Sequence, residues 1–241
     1  LTEKVIQLSS KNGEIMNQSL LTISIYLVLY PNGELSNKAL NIIIESLNNG
    51  SHARATPNIL ALIAASPSYK IIQEYSELIS KTILFYLGNV DSLIVYKSLC
   101  TLNILLQKKV INLQKSMIPE LLKVASGNNK RCQLLSFQNI LVQPTLIIDY
   151  LDQLVELIQT KPYGKSVIDI ICKIIFENLK TSKERVTLLI KSLITGKSQS
   201  LTSKTIITNI AHIVTVISQQ EDNVKNDLLK LIDSNLKEQG K

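Results

Sequence analysis

The chain has 241 residues, 45% of them hydrophobic, 19% charged and only 5% aromatic, with a formal net charge of +7. That balance excludes a disordered chain and supplies a large core dominated by Leu and Ile. The longest apolar run, Leu20 to Tyr30 with Thr22 and Ser24 inside it, falls well short of the ~20 residues that a membrane span needs. No membrane insertion is expected. Three cysteines, Cys100, Cys132 and Cys172, form no CxxC pair and sit in apolar, helix-patterned contexts. They read as reduced core residues, which favours a cytoplasmic or nuclear setting over a secreted one, although glycosylation-type triplets begin at Asn17 and Asn49. The chain begins with Leu and has no basic-then-apolar leader, so it is expected to be a segment of a longer protein.

In chain order, six of the eight glycines are near-evenly placed: Gly13, Gly50, Gly88, Gly127, Gly164 and Gly196, with successive steps in residue number of 37, 38, 39, 37 and 32. Each closes one apolar segment and precedes another, where a helix end often uses a residue that tolerates the left-handed conformation. Between them lies a second set of breaks: Pro31, Pro67, Lys108-Lys109, Pro144, Thr181-Ser182 and Glu221-Asp222. Proline cannot continue a helix and restricts its predecessor, so these positions end one helical pair and begin the next. The segment Thr145 to Ile158 is amphipathic. Ile147, Leu151, Leu154, Val155 and Ile158 share one face, and Asp149, Asp152, Gln153 and Glu156 the other. Val167 to Phe176 and Ile206 to Ile217 are apolar nearly all round, interrupted by Asp169, Lys173, Asn209 and His212. Such helices need cover on more than one side. Beyond them, Val224, Leu228, Leu231 and Ile232 make a narrow stripe that fits either a capping helix or the first half of a seventh pair.

Self-similarity supports the period independently of glycine. Leu99 to Gln107 (LCTLNILLQ) matches Leu135 to Gln143 (LSFQNILVQ) at five of nine positions, at an offset of 36. A period near 37 with two helical stretches per unit resembles HEAT repeats, relatives of the armadillo repeat. The strongest local likeness is Ile118-Pro119-Glu120-Leu121-Leu122-Lys123-Val124-Ala125. The Asp then Val-Arg feature of HEAT turns is present only loosely, as Asp91, Val95 and Lys97. The resemblance implies an all-α, right-handed solenoid of about six helical hairpins plus a C-terminal capping helix, one domain over residues 1–241. Such arrays serve as non-catalytic scaffolds that bind protein partners on the concave face or on the turn edge.

Catalytic and ligand-binding motifs are lacking. Two Gly-Lys-Ser triplets, at Gly164 and Gly196, resemble the end of a phosphate-binding loop, but Gln159 and Lys191 stand where its first glycine would be. They read as turn glycines followed by an exposed lysine. The two histidines, His52 and His212, have no partners at metal-ligand or catalytic spacing, and His212 reads as a hydrogen-bonded core or groove residue. No enzyme activity, metal or cofactor is expected.

Charge remains as a signal. From Lys161 to Lys204 there are nine basic and three acidic side chains. Several cations lie in or beside the glycine-marked turns, including Lys11, His52 (if protonated), Arg54, Lys130, Arg131, Lys161, Lys165 and Lys197. In a solenoid these turns stack along one edge. Lys130, Arg131, Lys161, Lys165 and Lys197 are the candidate partner-binding residues, for a protein with an acidic surface. Ordinary solvation also accounts for a lysine-rich edge. The pattern is similar to tubulin-binding TOG modules as well, but the aromatic residue usual in their first turn is missing from Ser9-Ser10-Lys11-Asn12-Gly13. A nucleic-acid partner fits less well, because three Arg and scattered Tyr give little bidentate contact or stacking.

Overall fold

The computed structural model describes residues 14–30, 36–48, 75–179, 181–195 and 204–220, and the single positions 56, 59 and 226. Gly13, Gly50, Gly196, Pro31, Pro67, the 221–222 break and all four residues of the Val224 stripe lie outside the described residues. Within them the protein is all-helical, with ten α-helices, one 3-10 helix and no strand. The chain divides into two compact units, Leu1–Leu113 and Gln114–Lys241.

The first unit contains α1 (Glu14–Leu29), α2 (Ser36–Asn48), α3 (Ser76–Leu87) and α4 (Ser92–Gln107). Helix α1 packs on α2, α2 on α3, and α3 on α4. Gly88 lies in the tight α3–α4 turn, and Asp91 caps α4 by accepting a hydrogen bond from the Leu93 N–H. The Tyr86 hydroxyl meets Thr56 Oγ1 at 3.3 Å, across 30 residues of sequence.

The second unit contains α5 (Met117–Ser126), α6 (Lys130–Val142), a 3-10 helix (Pro144–Tyr150), α7 (Leu151–Thr160), α8 (Lys165–Leu179), α9 (Lys183–Thr195) and α10 (Lys204–Gln220). Helix α5 packs on α7 and α7 on α9, while α6 packs on α8 and α8 on α10. Like therefore contacts like, one hairpin apart. Side-chain hydrogen bonds fix the register of these contacts. Tyr150 reaches Lys115, Gln159 reaches Ser192, Arg185 reaches Asp149 and Asn178 reaches Pro144, across 35, 33, 36 and 34 residues. Each step is close to the repeat length read from the glycines.

The apolar faces fall where the sequence puts them. Ile147, Leu151, Leu154, Val155 and Ile158 are all buried, and Asp149, Asp152, Gln153 and Glu156 are exposed. The matched segments 99–107 and 135–143 both lie on second helices of a pair, α4 and α6 with its C-cap. In α8, Val167, Ile168, Ile171, Cys172, Ile174, Ile175 and Leu179 are buried.

Three expectations need correction. The stretch from Thr145 to Ile158 is not one α-helix. It winds as a 3-10 helix to Tyr150, whose φ of −122° and ψ of 20° interrupt the helix before α7. Pro144 contributes no N–H there, and its carbonyl accepts from Asn178 Nδ2 at 2.8 Å. Helix α10 is less covered than its composition suggests, since Ile207 is 54% exposed. Its cover among the described residues comes from α7, α8 and α9, which lie on its other side.

The third correction concerns the glycines. Gly88 and Gly127 close α3 and α5 as expected, but with φ of −82° and −68°, and Gly164 is not left-handed either. Other groups supply the caps at these turns. Asn129 accepts from the Arg131 and Cys132 N–H groups, and Gln133 donates to the Gly127 carbonyl. Among the described residues the left-handed one is Lys109, at φ 56°. There the Val110 N–H bonds to the Leu105 carbonyl and the Lys109 N–H to the Leu106 carbonyl. That is a Schellman cap, closed by the buried side chains of Val110 and Leu105.

The cap gives a stability prediction. Lys109→Gly should raise stability by about 0.5–1 kcal/mol, because relief of the left-handed penalty exceeds the added chain entropy, whereas Lys109→Val should lose about 1–2 kcal/mol. Denaturant midpoints at constant m-value read both changes. Equal midpoints for the two variants would contradict the assignment. Gly127→Ala should cost under about 1 kcal/mol, since its extended backbone suits any residue and an added Cβ would meet only the Val124 carbonyl at 3.2 Å.

Candidate interaction surface

The α7–α8 turn is built around Tyr163, which is 2% exposed. Its hydroxyl donates to the Ala125 carbonyl at 3.0 Å, in the last turn of α5. Its ring meets Phe137 of α6 edge-on at 5.6 Å, and its carbonyl accepts from Asn209 Nδ2 of α10 at 3.1 Å. Burial holds the phenol well above its ordinary pKa. The α5–α6 and α7–α8 turns are thereby held against each other.

Four of the five expected cations flank these two turns. Lys130 and Arg131 are the first two residues of α6 and are exposed; Lys165, the first residue of α8, is exposed too. Lys161 caps α7 and is half-buried. Lys197 lies outside the described residues, as do Lys11, His52 and Arg54. Among the described residues no carboxylate pairs with Lys130, Arg131, Lys161 or Lys165. Helix N-termini carry partial positive charge, so Lys130, Arg131 and Lys165 stand where the backbone field disfavours cations. The α8 end adds open space: Gly164 caps it through its carbonyl alone, and an added Cβ there would touch nothing within 4 Å.

At the other end of α7 the charges are of opposite sign. From Pro144 to Thr160 the chain carries three carboxylates, Asp149, Asp152 and Glu156, and no cation. Asp149 is held between Lys115 Nζ at 2.6 Å and Arg185 Nη1 at 3.1 Å. Hydrogen bonds from these two side chains push its pKa below the ordinary carboxylate value. It stays ionised at neutral pH. Beside it a cleft of about 330 Å³ opens between the 3-10 helix, α7 and α9, lined by Ile148, Leu151, Leu188 and Leu189 and, in equal number, by polar side chains that include Asp152 and Arg185.

The remaining titratable groups include one histidine–carboxylate pair and the cysteines. His212 of α10 lies 3.3 Å from Asp169 of α8, both sides of the pair being about half exposed. Sequence spacing alone did not pick out this partner, 43 residues away, although about one repeat length is the separation at which to look for it. Cys172 and Cys132 are buried and Cys100 is half-buried, none of the three in a disulfide. Burial, and then the Asp169 charge, push the Cys172 thiol up to about 11, so it stays protonated at neutral pH. Among the described residues no cluster of three or more His, Cys, Asp or Glu could hold a metal ion, and no helix is long and apolar enough to cross a membrane.

No protein-family model matches the chain, and no curated protein matches it at a significant level.

Proposed function

We propose that the protein is a non-catalytic scaffold of HEAT-like hairpins, stacked as a right-handed solenoid with its C-terminal segment as a cap, and that it docks an acidic surface of a protein partner on its intra-hairpin turn edge. The observation that carries this reading is the juxtaposition of the α5–α6 and α7–α8 turns by Tyr163, which gathers Lys130, Arg131, Lys161 and Lys165 from separate hairpins. Two features support it. Three of these cations sit at helix starts, against the backbone field, without a neutralising carboxylate among the described residues. Three of the four are Lys, and the one large aromatic side chain between the turns, Tyr163, is buried. That suits diffuse attraction to Asp and Glu better than bidentate phosphate contacts or base stacking.

Charge reversal at Lys130, Arg131, Lys161 and Lys165, with Lys197 added, tests the edge. Each exposed pair contributes little, ~0.2–1 kcal/mol, so the combined variant should weaken binding of a poly-glutamate probe at least about tenfold. The wild-type affinity should fall steeply as salt rises. Polyanion competition separates the alternatives: a partner displaced by poly-glutamate and by duplex DNA equally is held by charge alone, while preference for DNA favours a nucleic-acid ligand. Unchanged poly-glutamate affinity in the charge-reversed protein would sink the edge as the docking surface.

A further inference from the structure

The longest apolar run of the chain, Leu20 to Tyr30, fills the greater part of α1, and after Glu14 this helix carries no charged side chain. Its inner side is buried through Ser19, Leu20, Ile23, Ser24 and Leu27, and it packs on α2. The other side is open. Ile15, Ile25, Leu29 and Tyr30 are between 47% and 65% exposed, and Gln18 and Thr22 are exposed between them. A solvated helix face ordinarily carries charge, and a helix that is apolar nearly all round ordinarily has cover on more than one side. This face has neither charge nor, among the described residues, a second covering helix.

The exposed positions Ile15, Gln18, Thr22, Ile25 and Leu29 follow one another at steps of 3, 4, 3 and 4 residues, the spacing of the seam along which two helices interlock side chains. Three of the five are large aliphatic side chains. The polar two stand between them: the Thr22 hydroxyl donates to the Gln18 carbonyl at 2.8 Å and Gln18 Nε2 to Glu14 Oε1 at 2.9 Å. Thr22 can therefore be covered without stranding its donor. The order of chemistry is also symmetric. From Ile15 to Ile25 the stripe reads apolar, polar, polar, apolar at steps of 3, 4 and 3, so it matches itself when turned end for end.

We infer that α1 is a self-association surface, on which a second copy of this protein packs its own α1 in a two-fold, antiparallel helix pair. In that pair Ile15 of each copy comes opposite Ile25 of the other, and Gln18 opposite Thr22. Charge favours a second copy as the occupant. The protein carries a net +7, so two copies repel when they approach by their charged surfaces, and a stripe without charge is where they meet at least cost. A two-fold contact needs one self-complementary patch, which the symmetric stripe supplies. A single pair of helices about 24 Å long is at the low end of interface sizes, so the dimer is weak and concentration-dependent. The stripe contains none of the cations of the turn edge and is independent of it.

Sedimentation equilibrium of the whole 241-residue protein, loaded from about 10 μM to about 1 mM, tests this. The average mass should rise with loading from 26.9 kDa toward twice that value. Thr22→Glu and Thr22→Lys probe the contact, because a two-fold pair centred on the stripe brings position 22 close to its own copy. Both put a better helix former at an exposed position, so far-UV circular dichroism and Tm should stay close to wild type. Each variant alone should self-associate at least about tenfold more weakly, as like charges face each other, and an equimolar mixture of the two should associate again. A mass of 26.9 kDa at every loading of the wild type, or association that neither variant weakens, would overturn the proposal. Loss of association in both variants without recovery in the mixture would overturn it too, since something other than a second α1 would then lie against the stripe. None of these readings involves the turn edge, so failure of one surface is read separately from failure of the other.

Discussion

Register is the constraint on which the second unit depends, and Tyr163 imposes it. Apolar burial drives helices together but is non-directional, and a helix that slips one turn along a neighbour keeps most of its buried area. Buried polar bonds do not tolerate such slippage. An unmade hydrogen bond to a buried group costs about 1–3 kcal/mol, and Tyr163 would leave two unmade: its own hydroxyl with the Ala125 carbonyl, and its carbonyl with Asn209. A carbonyl in the last turn of α5, as Ala125 provides, has no intrahelical partner to fall back on. One side chain in a turn thus aligns the ends of three successive hairpins. Asn178 has a similar part at the far end of α8, where its amide bonds to Pro144 and Ile174.

These pairings explain why the period could be read before any contact was known. In the second unit, residues 33 to 36 positions apart lie side by side, a separation close to the glycine spacing read from the sequence. Glycine spacing located turns correctly at Gly88, Gly127 and Gly164 but for the wrong conformational reason. Asn129 and Gln133 close the Gly127 turn, and Asp91 and the Gly164 carbonyl cap the helices that follow the other two. The left-handed strain sits on Lys109, and nothing in its residue type announces it. Buried Tyr163, Asn178 and Asn209 were illegible as clamps, because a polar residue in an apolar stretch does not name a partner one repeat away. The same limit hid the cleft. Asp149 and Asp152 were visible as part of a solvated face, but Leu188 joins Ile148 in one lining only once α9 is placed beside α7.

For the basic residues, what was legible was topological. The Tyr163 contact joins two turns whose four cations come from separate hairpins. The sequence could not say which of them would find carboxylates. Lys115 and Arg185, equally basic in composition, are taken up by Asp149, while Lys130, Arg131, Lys161 and Lys165 are not.

The helix macrodipole separates charges that folding itself explains from those it does not. In α7 the order is favourable: Asp152 lies in the first turn and Lys161 at the C-cap, each facing the partial charge of opposite sign. Asp152 would therefore be retained for stability alone. Glu156 lies mid-helix, where the dipole offers nothing, and no i+4 cation supports it, since residue 160 is Thr. In α6 and α8 the order is reversed, with Lys130, Arg131 and Lys165 at the positive ends. Each such placement forgoes roughly 0.3–1 kcal/mol that an acidic residue there would supply. Local stability through the helix dipole thus accounts for Asp152 but not for Glu156 or the three helix-start cations.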